Sequence, residues 1–318
     1  MRLMSYTTGI LCAVAVSLGD GAHGQAFPSK TVRIVTVAAG GSVDIGARLI
    51  AQGISGPLGQ NVIVDNRVGG TISGEIVARA QPDGHTLLAT SSIHWIGPLM
   101  SKTPYDPVRD FSAITLAMLS PNILAVNPGV AAGTVKELIS LAKARPGELN
   151  YSSAGAGGSP HLAAELFNAM AGVHIVRIAY KGGGQAVNAV LANEVQMMFS
   201  PAISVIPHMK SGKLRALAVT TARPSVLAPG LPAMAETLPG YESAQTTGLF
   251  APARTPASII SRLNEECVKF LSRADIKEKL LGAGVESVGS SPREFDIVVK
   301  SEISRMGKVI KSAGIRED

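Results

Sequence analysis

The chain has 318 residues, 46% of them hydrophobic, 16% charged and 4% aromatic, with 34 glycines and 19 prolines. That is enough apolar material for one large or two medium domains, and so many glycines and prolines fit the short connections of an α/β protein. The formal net charge of +6 is spread along the chain, without a basic block or interleaved aromatics, so no nucleic-acid partner is expected.

The N-terminal stretch "MRLMSYTTGILCAVAVSLGDGAHGQA" places Arg2 ahead of an apolar run from Thr8 to Leu18, followed by small residues. This is the layout of a secretory signal peptide, residues 1–26. Its apolar run is too short for a bilayer, which takes about 20 residues. Cleavage is expected after Gly24 or Ala26. Cys12 lacks the small residues just before it that a lipoprotein signal needs, so no lipid anchor is expected. No later segment has about 18 uninterrupted apolar residues, so the mature protein is expected to be soluble and exported.

Removing the leader leaves Cys267 alone, and no internal disulfide is possible. Its helix-patterned surroundings, "PASIISRLNEECVKFL", suggest a semi-buried thiol, and no histidine nearby suggests a nucleophile.

Along the mature chain, strand and helix patterns alternate. "TVRIVTV" (31–37) reads as a strand, and "DIGARLIAQGI" (44–54) as a helix with Ile45/Leu49 and Ile50/Ile54 four apart. A strand "NVIVD" (61–65), a helix over 73–81 and a strand "TLLATS" (86–91) follow. Next come "ILAVN" (123–127), the helix "TVKELISLAKA" (134–144) and a strand near "LNYS" (149–152). The helix "PHLAAELFNAMA" (160–171) has Leu162, Leu166 and Met170 in register. Strands recur at "IVRI" (175–178), "VQMMF" (195–199) and "LRALAVT" (214–220), with helices between. A Pro- and Gly-rich stretch (223–240) leads to a strand near "TGLFAPA" (247–253) and three closing helices (256–271, 273–283, 292–312). This order predicts parallel sheets with helices on both faces.

Two lobes are suggested by a recurrence. The turn "AAGGSVDIGARL" after the first strand has a counterpart about 115 residues later in "YSSAGAGGSPHLAAEL" (151–166). Each is a strand, a Gly/Ser loop and a helix. Ser42 is expected to cap the first helix with Asp44 in its first turn, and Ser159 the second with Pro160 at the first helical position. "AYKGGGQAV" (179–187) repeats the idea. Glycines let backbone N–H groups approach a ligand, and helix N-termini favour an anion.

The anion is not a nucleotide by motif. No G-x-x-x-x-G-K-[ST] occurs, and Pro160 stands where the third glycine of G-x-G-x-x-G would follow Gly155 and Gly157. With Lys181 the only nearby lysine, the N–H and hydroxyl donors suit one or two carboxylates. Catalytic patterns are also missing: there is no G-x-S-x-G and no H-E-x-x-H. The histidines at 23, 85, 94, 161, 174 and 208 never pair at metal-ligand spacing, so no metal and no cofactor are expected. Ser140 and Lys143 match S-x-x-K on an amphipathic helix without its companion motifs. An exported α/β enzyme acting on small organic acids is the alternative, and Asp44 would be its base only with a nucleophile around it.

The segments "FPSKTVRIVTVAAGGSVDIGARLIAQGISGPLGQNVIVDNRVGG", "ARAQPDGHTLL", "LNYSSAGAGGSPHLAAELFNAMAG", "AYKGGGQAVNAVLANEVQMMF", "GKLRALAVTTARPSVLAPGLPAMAE" and "GLFAPARTPASIISRLNEE" together resemble the Bug family. These are extracytoplasmic solute-binding receptors of tripartite tricarboxylate transporters, and the resemblance spans nearly the whole mature chain.

That resemblance implies a two-lobed periplasmic binding protein (type II, Venus-flytrap) with two hinge strands, "ILAVN" (123–127) and "GLF" (248–250). Lobe I would be 27–124 with 249–318, and lobe II 125–248. The protein would be a periplasmic, non-catalytic monomer that delivers a small mono- or dicarboxylate to membrane subunits or a sensor. The ligand would lie between Ala39, Gly40, Gly41, Ser42 and Asp44 on one side and Ser152, Ser153, Gly155, Gly157, Gly158, Ser159 and His161 on the other. Ser91, Ser92, Gly183 and Gly184 would complete the wall. Two positions depart from the family: Arg177 replaces a frequent histidine, and Ser200 a usual aspartate. Loss of that acid and gain of a cation favour a dicarboxylate or aromatic acid over an amino acid.

Overall fold

The computed structural model describes residues 27–315 apart from 38, 40, 41, 68–70, 154–156 and 181. The expected signal peptide, Cys12, Lys181 and the candidates Gly40, Gly41 and Gly155 lie outside the described residues. In chain order the elements are β1 (Val32–Thr36), α1 (Ser42–Leu58), β2 (Val62–Asn66), α2 (Ile72–Ala78), β3 (Thr86–Ser91) and α3 (Ile93–Ile96). Then follow β4 (Phe111–Val126), α4 (Val135–Ala144), β5 (Asn150–Ser153), α5 (Ser159–Ala171), β6 (Val176–Ala179), α6 (Gly183–Leu191), β7 (Met197–Pro201), α7 (Ala202–Lys210) and β8 (Arg215–Val219). The chain closes with β9 (Ala244–Pro252), α8 (Ala257–Leu271), α9 (Ala274–Gly282), β10 (Glu286–Ser287) and α10 (Pro292–Ala313).

The strands lie in the order β2-β1-β3-β9-β4-β7-β5-β6, with β8 and β10 also paired to β4. Purely parallel sheets, as the alternation predicts, are not what forms. β1 is parallel to β2 and β3, and β5 to β6 and β7, but β9 runs against β3 and β4, and β4 runs against β7, β8 and β10. The reason is β4. This 16-residue strand passes through both halves of the sheet, changing partners from β9 to β7 and β8 around Pro121 and Asn122. Proline has no N–H for a ladder and is tolerated where pairing changes.

The helical stripes differ from the expected ones in detail. On α1 the buried line is Val43, Ala47, Ile50, Ile54 and Leu58, while Ile45 is 54% exposed. On α5, Leu162 and Leu166 are buried with Phe167, but Met170 is largely exposed. Cys267 is fully buried in α8, and burial, then the Glu266 charge, pushes its thiol up to about 12. An unreactive core thiol results.

Two smaller cores lie one on each half-sheet, the first gathering α1, α8 and α9, the second α6, α7 and β8. A larger one joins the halves, from Trp95, Phe250 and Phe295 to Tyr151, Phe167 and Tyr241. Helix α10 is central to it. Ser291 caps α10 by accepting from Glu294 N–H, and Pro292 occupies its first turn, so the helix starts at a fixed point. Among the described residues no helix is long and apolar enough to cross a membrane.

Candidate functional site

Strand directions decide where a site can form. Because β9 runs against both β3 and β4, β3 and the first part of β4 point the same way. In the other half β7 runs against β4, and β5 and β6 share its direction. The carboxyl ends of β1 and β3 therefore face those of β5, β6 and β7 across the Ser120–Asn122 stretch of β4. Ser91, last in β3, stands level with Thr247 and Met118, whereas Pro201, last in β7, pairs with Asn122. The gap from Met118 to Asn122 is about 13 Å at ~3.3 Å per residue, enough for a small organic acid. Carboxyl edges of parallel strands are where open α/β sheets bind ligands.

On the first edge Ala39 is exposed in the turn after β1, and Ser42 opens α1. Asp44 lies in the first turn, 3% exposed, where its Oδ1 accepts from Asn66 Nδ2 at 2.8 Å and meets Arg48 Nε at 3.0 Å. Asn66 also donates to the Val37 carbonyl (2.9 Å) and accepts from Arg48 Nη2 (2.6 Å). Asp44 thus fastens the strand-to-helix turn, as an acid in a helix's first turn should. Ser91 is half-buried at the end of β3 and Ser92 is buried beside it.

On the second edge Ser153 ends β5, and its Oγ accepts from Arg177 Nε at 2.7 Å. A cation is thereby held at the carboxyl ends of β5 and β6. The Ser152 hydroxyl instead donates to the Ala186 carbonyl (2.8 Å), tying β5 to α6. Gly157 has φ +70°, and its N–H donates to His161 Nδ1 at 3.0 Å. Burial and then the Arg177 charge push His161 down to about 4, so the ring is neutral at pH 7 and keeps Nδ1 as an acceptor. Ser159 does not cap α5, contrary to the sequence expectation. Gly158 is the N-cap residue, and the Ser159 Oγ accepts from Asn122 Nδ2 at 2.7 Å. A local proton acceptor lost the competition to a tertiary amide from the β4 crossing.

Gly183 and Gly184 are exposed in the first turn of α6, and a Cβ on either would meet open space. Neither crowding nor a left-handed backbone demands glycine there. Ser200 is buried on β7 opposite Ile123. The two edges touch: Ser92 and Ser159 line one crevice, and Gly157 lies against Met100 and Ile93.

Asn122 was not foreseen. It is fully buried, its Nδ2 serves Ser159, and its Oδ1 has no partner among the described residues. The signal was the polar break "SPN" inside an apolar run. Among the described residues no group of three or more His, Cys, Asp or Glu could hold a metal ion.

Acid should loosen the second edge. In the unfolded chain His161 binds its proton near 6.5, in the folded one only near 4, so the native state loses ground as pH falls through that window. The melting temperature should drop between pH 6.5 and 4, with buried His94, pushed down to about 3, adding in the same sense. His161→Asn keeps an acceptor for the Gly157 N–H without a titrating ring, and thermal melts should show a smaller acid loss in that variant.

Two half-sheets with facing carboxyl edges, joined by a strand that runs through both, have the two-lobed architecture of solute-binding proteins. Residues 46–315 match the model of the tripartite tricarboxylate transporter family receptor, TctC, and the chain belongs to that family. Protein BugT of Bordetella pertussis is 31% identical, over 97% of this chain and 96% of its own. The structure of R. palustris Rpa4515 with adipate is 35% identical over 91% of this chain and 99% of its own, with a TM-score of 0.74. MatC from Rhodopseudomonas palustris with bound malate is 29% identical over 89% and 100%, with a TM-score of 0.71.

Proposed function

We propose that the chain is an exported, monomeric receptor that captures a small organic dicarboxylate between the two edges and presents it to the membrane subunits of a tripartite tricarboxylate-type transporter. The observation that carries this is the meeting of strand ends from both half-sheets at the β4 crossing, which brings Ser91, Ser92, Gly157 and Ser159 there, with Arg177 held on Ser153 at that edge. Backbone N–H groups and hydroxyls bind a carboxylate without a metal, and a guanidinium accommodates a second one. The structures with adipate and malate show that relatives of this chain take such acids. Ser200 in place of an acid leaves no anionic anchor for an amine on that strand. The lobes divide at 124/125 and 248/249, and binding draws them together, since neither edge alone supplies the full donor set. The family consists of receptors, and no nucleophile–base pair stands among the candidate residues described above.

The test is chemical. Purified protein is denatured, and whatever small acid it releases is identified by mass spectrometry. A dicarboxylate, recovered unchanged after prolonged incubation with refolded protein, is the expected result. A released molecule without a carboxylate, or conversion of the acid during incubation, would overturn the reading and favour the enzyme. Adipate, malate and succinate serve as probes in titrations.

Export follows from the leader. The mature chain should begin at Gln25 or Phe27 and fractionate with soluble periplasmic proteins, which intact-mass measurement checks.

A further inference from the structure

Glu302, on α10, is 7% exposed and accepts a 2.6 Å hydrogen bond from Trp95 Nε1. One turn on, Arg305 is already committed: its Nη1 lies 3.1 Å from Glu242 Oε2, while its buried Nε has no partner among the described residues. Glu302, Glu242, Arg305 and Ser243 line a crevice together with Ser92 and Ser159. It has room for about one water molecule. Glu302 therefore lines the same small crevice as Ser92 and Ser159 of the candidate site. An anion bound against Ser92 and Ser159 faces a second carboxyl across a narrow, poorly solvated gap. Repulsion between two carboxylates in such surroundings is strong, and protonating one of them removes it.

We propose that ligand capture is proton-linked, with Glu302 taking up a proton from solvent as a carboxylate docks against Ser92 and Ser159. This rests on the carboxylate reading of the site. Burial pushes Glu302 up to about 7, the Trp95 bond and Arg305 pull it down, and Glu242 pushes it up. The group is thus poised to change charge near neutrality, and a neighbouring anion raises it further. Among the elements packed on α10, α8 carries Arg262, Glu265, Glu266, Cys267 and Lys269. Glu266 is paired to Arg262 and Lys269, and the Cys267 thiol is pushed up to about 12. On α5, Glu165 accepts from the Tyr151 hydroxyl. His94 on α3 is pushed down to about 3 and His161 on α5 to about 4, and β4 carries no ionisable residue.

The experiment is calorimetric titration with adipate, or with malate or succinate where one of these binds more tightly, from pH 6.5 to 8.5. The second carboxyl of a dicarboxylic acid titrates roughly a unit above an ordinary carboxylate because the first one's charge opposes it, so the probes' own small proton binding near pH 6.5 is subtracted from the counts. Repeating each titration in buffers of different ionisation enthalpy counts the protons taken up. Affinity should fall about threefold to tenfold across the range, with a fraction of one proton absorbed per ligand. Glu302→Gln keeps an acceptor for Trp95, and it should bind at pH 8.5 as wild type does at pH 6.5, with no proton uptake. Glu242→Gln removes the like charge and frees Arg305 to attract Glu302, so the transition should move to lower pH. Binding without proton uptake, flat with pH, overturns this proposal and leaves the carboxylate reading standing. Unaltered proton uptake in Glu302→Gln also overturns it. No binding by any probe overturns both.

Discussion

Replacing Gly157 by valine should weaken carboxylate binding more than tenfold, about 1.4 kcal/mol, and lower stability as well. Gly157 has φ +70°, where a β-branched residue costs roughly 1–2 kcal/mol. Its Cβ would also stand 2.6 Å from Met100 Cε and 3.0 Å from Met100 Sδ, a contact the flexible end of Met100 can relieve by changing rotamer, so the backbone strain carries most of the effect. A loop that relaxes to an ordinary backbone angle takes the Gly157 N–H off His161 Nδ1 and shifts Ser159 relative to Ser92. Adding Met100→Ala relieves the contact but not the backbone strain, so part of the loss should return. Titration calorimetry with a dicarboxylate gives the first number, and thermal melts give the second. Wild-type affinity in Gly157→Val would separate this loop from the ligand.

Trp95→Ala should destabilise the fold by about 3–5 kcal/mol, the range for truncating a fully buried aromatic. Trp95 packs edge-on against Phe250 and Phe295 within the core that joins the halves, so the cavity opens where both lobes depend on it. It also leaves the Glu302 carboxyl without its N–H donor. With Glu302 pushed up to about 7, the deficit should be larger at pH 8 than at pH 6, because only the ionised form is badly stranded. Trp95→Phe restores most of the packing and none of the hydrogen bond, so its loss should be smaller but just as pH-dependent. Trp95 is the only tryptophan, so urea unfolding is followed by far-ultraviolet circular dichroism.

The alternation of strand and helix was legible because β-branched runs such as "VRIVT" and "TLLATS" stand apart from helices with clear apolar stripes. The length of β4 was not. Only "ILAVN" was read from it, because "SPN" looks like a break, and the strand survives that break by exchanging one set of partners for another. Strand direction was lost for the same reason, since antiparallel pairing through β9 and β4 is a tertiary fact with no local period. Of the candidates among the described residues, Gly157 lies in a turn, and Gly183, Gly184 and Asp44 in first helical turns. Ser159 was assigned to a cap because Ser-Pro is a strong start signal, and the amide that claims its hydroxyl comes from Asn122, 37 positions away. Trp95 and Glu302 lie 207 positions apart, and no spacing rule connects them.

The central claim is that two facing strand edges form one carboxylate site, and titration calorimetry on the whole protein tests it most directly. Protein stripped of any bound acid by denaturation and refolding is titrated with four- to six-carbon dicarboxylates at pH 6.5. One-to-one saturable binding to at least one of them, with a negative heat-capacity change from enclosure and tenfold or greater loss in Gly157→Val, is the predicted result. Correctly refolded protein that gives no binding heat with any of these acids, at several temperatures, would contradict it.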